Sequence, residues 1–223
     1  GSSTYIICGA VSNTSDKQVP EDYGVKSGWG MFRVRGEIPA LFTGEADQRY
    51  LFFTDGQTQY LNKIDDQSNG FFVTKWTNLT DNGQTASNTA DGGVNTDYPL
   101  FRLADVYLMM AEAVVRGGTG SDRGTVLGYI NELQRRAYGD DEHKIADSDL
   151  TLDFLLKERA RELYWEGHRR TDLIRYGMFT TDKYLWQWKG GEKGGTAVNS
   201  KYNIYPIPNT ELTANPNLYN ENY

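Results

Sequence analysis

The pattern of apolar and polar positions changes near residue 97, and the two parts of the chain predict different structures. In residues 1–97, the runs "RYLFF", "GFFVTKW" and "GMFRVRG" combine aromatic and β-branched side chains between turn formers, which is typical of short strands. The stretch "TDNGQTASNTADGGVNTD", residues 80–97, has almost no apolar side chain and predicts a loop. We therefore expect a loop-rich segment over residues 1–97 and a helical region over residues 98–223, packed together as one unit.

From Tyr98 onward, apolar residues recur at three- and four-residue steps, which predicts amphipathic helices. The first helix is expected to begin near Pro99 and to stop at Gly117. Its apolar face is expected to consist of Leu100, Leu103, Tyr107, Met110, Ala111 and Val114. A second helix is predicted over about residues 122–137, with Ser121 as its N-cap, so that the two helices form a hairpin.

A third helix is predicted to start near Thr151, to be interrupted at Gly167 and to continue as a short helix up to Gly177. Beyond Lys183 the chain is expected to be irregular. The run "YLWQWKGGEKGGT" predicts an aromatic and glycine-rich loop, and "KYNIYPIPNTEL" an extended segment whose prolines exclude a central strand. The predicted fold class is therefore mainly α, with long loops and a few short strands.

Composition and charge exclude several kinds of function. A chain with 38% hydrophobic and 24% charged residues is expected to fold. A net charge of −7 argues against a protein that coats nucleic acid, which requires a basic excess. One cysteine and two histidines allow neither a disulfide within the chain nor a Cys/His zinc site. The sequence has no apolar run that approaches the roughly 20 residues of a transmembrane helix.

The segment "ERARELYWEGHRRTDLIRYG", residues 158–177, concentrates charge and predicts an ion-pair network. Glu158, Glu162 and Glu166 follow one another at four-residue spacing and so lie on one helical face. Three neighbouring carboxylates repel one another unless cations lie between them or opposite them. The segment and its neighbouring helices supply mainly arginines, whose planar guanidinium can bridge two carboxylates.

Metal ligation and glycoside hydrolysis are the competing interpretations of this segment. A metal site in a helix bundle uses Glu-x-x-His on facing helices, whereas Glu166 and His168 are separated by one residue. Asp140 and His143 have suitable spacing but lie in a polar connector without further ligands. Paired carboxylates can hydrolyse glycosides, but surrounding arginines lower both pKa values, which does not suit a general acid. We therefore expect neither a metal, nor a cofactor, nor an enzymatic activity.

The same segment resembles the signature E-R-x-x-E-L-x-x-E-G-x-R-x-x-D-L-x-R-x-G of the SusD/RagB family and fills every position of it. "FRLADVYLMMAEA", with Arg102 and Glu112, is similar to an earlier helix of the family. "INELQRRA" is similar to another, with Arg136 in place but Gln134 where an arginine is common.

Further similarity covers the chain from about Gly28 to its end. The segment "SGWGMFRVRGEIPALFTGEADQRYLFF" is similar to the one in which the family's G-W-G precedes a D-x-R pair, here Asp47 and Arg49. The stretches "YPIP" and "NPNLYNENY" resemble the family's ending. Family members are usually much longer at the N-terminus, so we expect this chain to correspond to a C-terminal portion.

The resemblance implies a SusD-like helical fold with tetratricopeptide-like hairpins, and a non-catalytic function. The expected function is capture of a glycan or oligosaccharide on the outer face of the outer membrane, in partnership with a SusC-like TonB-dependent transporter. Membrane contact is expected only through a lipid anchor outside this chain. The resemblance also assigns the charged residues to a structural network of Arg102, Glu112, Arg136, Glu158, Arg159, Glu162, Glu166, Arg169, Asp172 and Arg175.

Aromatic side chains in loops are the candidate sugar contacts, because sugar rings present apolar C–H faces that stack on aromatic platforms. The candidates are Trp76, Tyr184, Trp186 and Trp188. In an extended "YLWQW" run the last three would point to one side. The alternative is that these side chains pack over the helices. A different function also stays open, namely a helical scaffold that caps the transporter, with its ligand site elsewhere or with a peptide as ligand.

Overall fold

The computed structural model describes residues 6–12, 18–43, 46–87 and 94–221. The chain divides into two compact units, residues 1–169 (unit 1) and 170–223 (unit 2). This division lies well beyond the change of sequence pattern near residue 97. The predicted loop over residues 80–97 is described in part, and residues 88–93 lie outside the described residues.

Helices make up most of the regular secondary structure of the described residues, and the predicted mainly α class with a few short strands is confirmed. The α-helices are α1 (Ile6–Ala10), α2 (Leu103–Val115), α3 (Arg123–Tyr138), α4 (Leu152–Leu163), α5 (Arg169–Arg175) and α6 (Asn209–Ala214). In unit 1, α2, α3 and α4 surround an apolar core whose most buried members include Leu108, Ile130 and Leu155. Within the described residues, no helix combines the length and the apolarity needed to cross a bilayer.

The predicted apolar face of the first helix is right only in part. Ala111 is buried in the core, and Tyr107, Met110 and Val114 are partly buried against it. Leu100 lies before the helix and is 72% exposed, and Leu103 is 62% exposed. Besides Ala111, the fully buried residues of the helix are Ala104, Asp105, Leu108 and Glu112, none of which was predicted to face inward. Two of these are acidic residues that ion pairs keep inside, so an apolar pattern alone could not identify the face. The helix begins four residues after Pro99, because Arg102 is extended, with φ −148° and ψ 160°.

One side chain caps the N-terminus of each of the helices α3 and α4. Asp122, not the predicted Ser121, is the N-cap of α3, and its carboxylate accepts a 2.9 Å bond from the Thr125 N–H. Ser121 stands one position too early to reach the first free N–H groups of the helix. Thr151, near which the third helix was expected to start, is the N-cap of α4 and accepts from the Phe154 N–H at 3.1 Å.

Two short strands lie side by side in unit 1. Strands β1 (Phe52–Phe53) and β2 (Phe72–Val73) pair antiparallel, with Phe52 opposite Val73 and Phe53 opposite Phe72. They come from the predicted runs "RYLFF" and "GFFVTKW". The third run, "GMFRVRG", forms only an isolated bridge between Val34 and Phe71. These residues pack under Tyr164, at the end of α4, so the small sheet supports that helix terminus.

Unit 2 is built from short helical segments and turns. The segment "YLWQW" is not extended, because Trp188 has φ +67° and the 3₁₀ turn Lys189–Gly191 follows it. The prediction of an extended "KYNIYPIPNTEL" is largely wrong, since Ser200–Asn203 forms a 3₁₀ turn and α6 begins at Asn209. Only the residues between these two elements, which include both prolines of "YPIP", are non-helical.

Candidate functional site

A row of buried glutamates runs along α4 and past its end. Glu158, Glu162 and Glu166 are 0%, 3% and 5% exposed. Their four-residue spacing places them on one side of the helix. Glu166 lies three residues beyond the last residue of α4 but stays in the row, because its N–H donates to the Leu163 carbonyl at 3.1 Å. Buried carboxylates require cationic or hydrogen-bonding partners.

Glu162 is the centre of this row, and three arginines from distant segments contact it. Arg102 and Arg136 each donate to Oε1 at 2.5 Å, and Arg49 donates to Oε2 at 3.0 Å. Burial by itself would raise the pKa of Glu162, but the positive charges of the three arginines outweigh it and lower the pKa to about 2. Glu162 is therefore ionised at neutral pH.

Arg49 joins a further segment to α4. Its guanidinium donates to both carboxylate oxygens of Asp47, at 2.9 and 2.7 Å, and to Glu158 at 2.5 Å. Burial alone would lower the pKa of Arg49, but Asp47 and Glu158 outweigh it and raise the pKa. The D-x-R spacing was recognised in the sequence, yet Arg49 was not predicted to belong to the network.

Glu166 is paired with Arg102 and Lys75. Arg102 donates through Nε at 2.6 Å and through Nη2 at 2.8 Å, and Lys75 Nζ lies 2.5 Å from Oε1. Lys75 also donates to the carbonyls of Glu162 and Tyr164, both at 2.9 Å, so it satisfies backbone acceptors at the C-terminal end of α4. No sequence pattern marked Lys75. We call Asp47, Arg49, Lys75, Arg102, Arg136, Glu158, Glu162 and Glu166 the charged core.

The remaining members of the predicted network have partners of their own. Within unit 1, Arg159 donates to Asp105 at 2.8 Å and Glu112 accepts from Arg116 at 2.8 Å, while Arg169 donates to the Leu156 carbonyl at 3.0 Å. Within unit 2, Arg175 donates to Asp172 at 2.8 Å.

The chemistry of the charged core is that of a structural assembly. Each glutamate of the row bonds at least one cation, and a carboxylate whose pKa is about 2 cannot act as a general acid at neutral pH. Among the described residues, no group of three or more His, Cys, Asp or Glu side chains is arranged to hold a metal ion.

The predicted sugar contacts lie in different places. Trp76 is half-buried in unit 1, with its ring 6.0 Å from that of Tyr98 and 5.8 Å from Lys75 Nζ. It borders a recess of about 450 Å³ beside the charged core. The Trp76 indole N–H is buried, and it has no hydrogen-bond partner among the described residues.

The other three candidates are half-buried in unit 2. The rings of Tyr184 and Trp186 are 6.1 Å apart, and the Trp186 ring stacks on Phe179 at 5.7 Å. Lys189 Nζ lies 4.6 Å from the Trp186 ring, and it donates to the carbonyls of Thr181 and Tyr184. Trp186 lines a cleft in this unit, whereas Tyr184 and Trp188 are not among its lining residues.

This cleft has a volume of about 650 Å³ and is rich in aromatic rings. We call it the aromatic cleft and define it by Arg170, Phe179, Trp186, Asn199, Tyr202 and Tyr205. The Arg170 guanidinium lies 3.9 Å from the Tyr205 ring and 5.0 Å from the Phe179 ring, and Nη2 donates to the Tyr202 carbonyl at 2.6 Å. Tyr205 and Tyr202 are 75% and 47% exposed, so ring surface faces solvent.

Sequence reasoning found Trp186 but missed the other lining residues of this cleft. Arg170 was read as one more charge of the signature segment, and Tyr202 and Tyr205 as part of an extended segment. The available signal was the pair of tyrosines in "KYNIY", which stands among polar residues and prolines. Nothing in the local pattern connects them to an arginine more than thirty positions earlier.

A sequence model described as the SusD family matches residues 27–223. The chain belongs to the SusD family. The starch-binding protein SusD of Bacteroides thetaiotaomicron is 41% identical over 195 residues, which cover 86% of this chain and 32% of that protein. SusD-like protein P25 of Formosa agariphila is 34% identical over 122 residues, 53% of this chain and 22% of that protein. The chain thus spans about a third or less of the length of these relatives.

Solved structures share the fold of this SusD-family chain. Surface glycan-binding protein A from Bacteroides fluxus superposes with a TM-score of 0.67 at 22% identity, covering 96% of this chain and 43% of that chain. The protein of the same name from Bacteroides uniformis gives a TM-score of 0.60 at 23% identity, covering 87% and 41%. At these identities the likeness concerns the fold, and the ligand has to be argued from the side chains.

Proposed function

We propose that this chain contributes to a non-catalytic cell-surface protein that binds a glycan or oligosaccharide for uptake. The complete family signature over residues 158–177 is the observation that carries the proposal, together with 41% identity to a starch-binding relative. The lipid anchor that would hold the protein at the outer membrane belongs to the proposal as a feature outside this chain.

The sugar contacts proposed are the half-buried aromatic residues Trp76, Tyr184, Trp186 and Trp188. Trp186 has the best support, because it lines a cleft that also exposes two tyrosine rings. Trp76 has a different kind of support. Its buried indole N–H has no partner among the described residues, and the residue borders the recess beside the charged core.

The absence of catalysis is proposed on electrostatic grounds. Glycoside hydrolysis needs one protonated carboxyl group near neutral pH. The buried glutamates on α4 bond arginines or a lysine, and Glu162 has a pKa of about 2. The charged core is proposed to hold α4 against the segments around it and to make no contact with a sugar bound in the cleft that Trp186 lines. Members of the core do line the recess beside Trp76.

A second candidate is a helical scaffold that caps a SusC-like TonB-dependent transporter, with its ligand site elsewhere or with a peptide as ligand. The observation that favours it is an exposed apolar stretch at the start of α2. Leu100, Phe101 and Leu103 are 72%, 83% and 62% exposed, which is unusual for neighbouring large apolar residues. The partnership with the transporter is common to both candidates.

Calorimetry and a glycan array test the first candidate, and co-purification with the transporter tests the second. We expect the 223-residue chain to bind an oligosaccharide, and Trp186→Ala to weaken binding. Tyr219→Ala is the control, because Tyr219 is 69% exposed and outside the cleft lining. Capture by the transporter without affinity for any glycan would favour the scaffold. Turnover of a chromogenic glycoside that is lost in Glu162→Gln would contradict the non-catalytic assignment.

A further inference from the structure

We propose that the aromatic cleft of unit 2 is a binding site for an acidic sugar, one that carries a carboxylate or a sulfate group. The inference rests on the proposed glycan-binding function and adds the ligand class. It departs from what the name of the starch-binding relative suggests, because starch is a neutral glycan.

Two side chains of the cleft, Arg170 and Asn199, have hydrogen-bond donors available. Within the described residues, Arg170 uses Nη2 for the Tyr202 carbonyl, and no acceptor occupies its Nε or Nη1. The Asn199 carbonyl oxygen already accepts from the Lys201 N–H at 2.9 Å, which leaves its NH₂ group available. A carboxylate or a sulfate only accepts hydrogen bonds, so it complements such donors better than a hydroxyl that must also donate.

The charge of the cleft points to the same ligand class. Arg170 and Lys189 line it, and no aspartate or glutamate does so among the residues that the structure describes. Lys189 is 2% exposed and its Nζ donates to two carbonyls, so Arg170 is the cation that a ligand can reach. The chain as a whole carries a net charge of −7, so a cationic lining is a local exception. Charge complementarity of this kind selects ligands of opposite sign and repels those of the same sign.

The rings of the cleft prepare Arg170 for binding. Tyr205 and Phe179 lie within 3.9 and 5.0 Å of its guanidinium carbon, and the Tyr202 carbonyl holds one edge. A guanidinium fixed in this way presents its free N–H groups with less loss of rotamer freedom on binding. The exposed tyrosine rings beside it can stack on the apolar face of a sugar ring. A sugar whose acidic group reaches Arg170 would satisfy both contacts.

The ligands that test this proposal are pairs with the same sugar ring but a different charge. Oligogalacturonate and its fully methyl-esterified form have the same sugar backbone, and esterification removes only the negative charge. A sulfated galactan tests whether sulfate replaces carboxylate, and a maltooligosaccharide represents neutral glycans. We expect calorimetry on the 223-residue chain to detect binding of at least one acidic polymer. Its neutral counterpart, the methyl ester or the desulfated galactan, should bind about 10-fold or more weakly.

The matched variants are Arg170→Gln and Lys193→Gln. Each removes one positive charge from unit 2, but Lys193 is exposed and is not a lining residue. We expect Arg170→Gln to weaken binding of the acidic ligand about 10-fold or more and Lys193→Gln to change it less than about 2-fold. Thermal unfolding checks that both variants are folded. If Arg170→Gln does not fold, the comparison of acid and ester still decides.

The outcomes separate this inference from the proposed function. Equal affinity for the acid and the ester, or undiminished binding by a folded Arg170→Gln variant, would overturn the acidic ligand. Binding of the neutral maltooligosaccharide alone would overturn it too, while leaving the glycan-binding function intact. If no glycan binds, neutral or acidic, both proposals fail.

Discussion

Arginine serves opposite purposes in the charged core of unit 1 and in the aromatic cleft of unit 2. In the charged core, Arg49, Arg102 and Arg136 bond to one carboxylate, and Glu162 is only 3% exposed. In the aromatic cleft, Arg170 is held by rings and one carbonyl, with no carboxylate in the lining that the structure describes. Charges that neutralise one another stabilise a fold, whereas a cation without an anionic partner can receive a ligand.

The variant Glu162→Gln gives the strongest test of whether the charged core stabilises the fold. We expect it to lower the free energy of unfolding by about 3–5 kcal/mol, because three arginine partners lose a buried charge. Urea unfolding measures the loss. The control Asp153→Asn, also on α4, alters an exposed pair with Lys157 and should cost less than about 0.5 kcal/mol. Losses of equal size in the two variants would contradict the structural role of the core.

Acid should weaken the charged core by a predictable amount. The pKa of Glu162 is about 2 in the folded chain and near 4.5 for an unperturbed glutamate. Its contribution to stability is therefore complete above pH 4.5 and disappears as the pH falls towards 2. The loss amounts to about 3 kcal/mol, because each pKa unit corresponds to about 1.4 kcal/mol.

Urea unfolding of the wild-type chain and of Glu162→Gln at a series of pH values checks this expectation. The difference in unfolding free energy between the two proteins should shrink below pH 4.5. A difference that stays constant down to pH 2 would show that Glu162 is not the titrating group.

In the aromatic cleft, Tyr205→Ala should lower the affinity for a sugar while leaving the stability of the fold nearly unchanged. Tyr205 is 75% exposed, so its removal should change the free energy of unfolding by less than about 0.5 kcal/mol. Affinity for the bound oligosaccharide should fall about 3- to 10-fold, since one stacking partner of both the sugar and Arg170 is lost. Calorimetry and thermal unfolding together test this. A variant that loses stability but keeps its affinity would show that Tyr205 stabilises the fold and does not contact the sugar.

Added salt is expected to have the smallest effect of these tests. It should weaken binding at the aromatic cleft and leave the stability of the charged core nearly unchanged. Raising NaCl from about 0.1 to 0.5 M shortens the screening length but affects buried pairs little, so thermal stability should be nearly unchanged. Affinity of the cleft for an acidic sugar should fall a few-fold over the same range. Isothermal calorimetry at the two concentrations measures it. A salt-independent affinity would argue against a charge-based contact at Arg170.

The predictability of each part of the fold depends on how local its signals are. The start of helix α4 was predicted well, because Thr151 and the apolar residues that follow it are within one helix length, but the helix ends at Leu163 and not at the predicted Gly167. The buried face of α2 was predicted only in part, because Asp105 lies inside by pairing with Arg159, 54 residues away. A polar residue on the buried face has the same appearance in sequence as one on the surface.

The candidate site shows the same limit. The row of glutamates on α4 was visible in sequence, whereas Arg49 and Lys75 reach it only through the tertiary fold. In unit 2, the expected alternation of "YLWQW" failed at Trp188, whose φ of +67° turns the chain. Arg170 and Tyr205 meet across 35 positions, and no helical or strand period connects such a pair.

The long sequence separations around Glu162 have a consequence for folding kinetics. Its partners Arg49, Arg102 and Arg136 are 113, 60 and 26 residues away along the chain. Closing loops of this length costs entropy before any bond forms, and a partly assembled cluster would leave a carboxylate or a guanidinium desolvated and unpaired. Intermediates with only some of these contacts are thereby disfavoured, so unit 1 is expected to acquire them together, late in folding, and to lose them together when it unfolds.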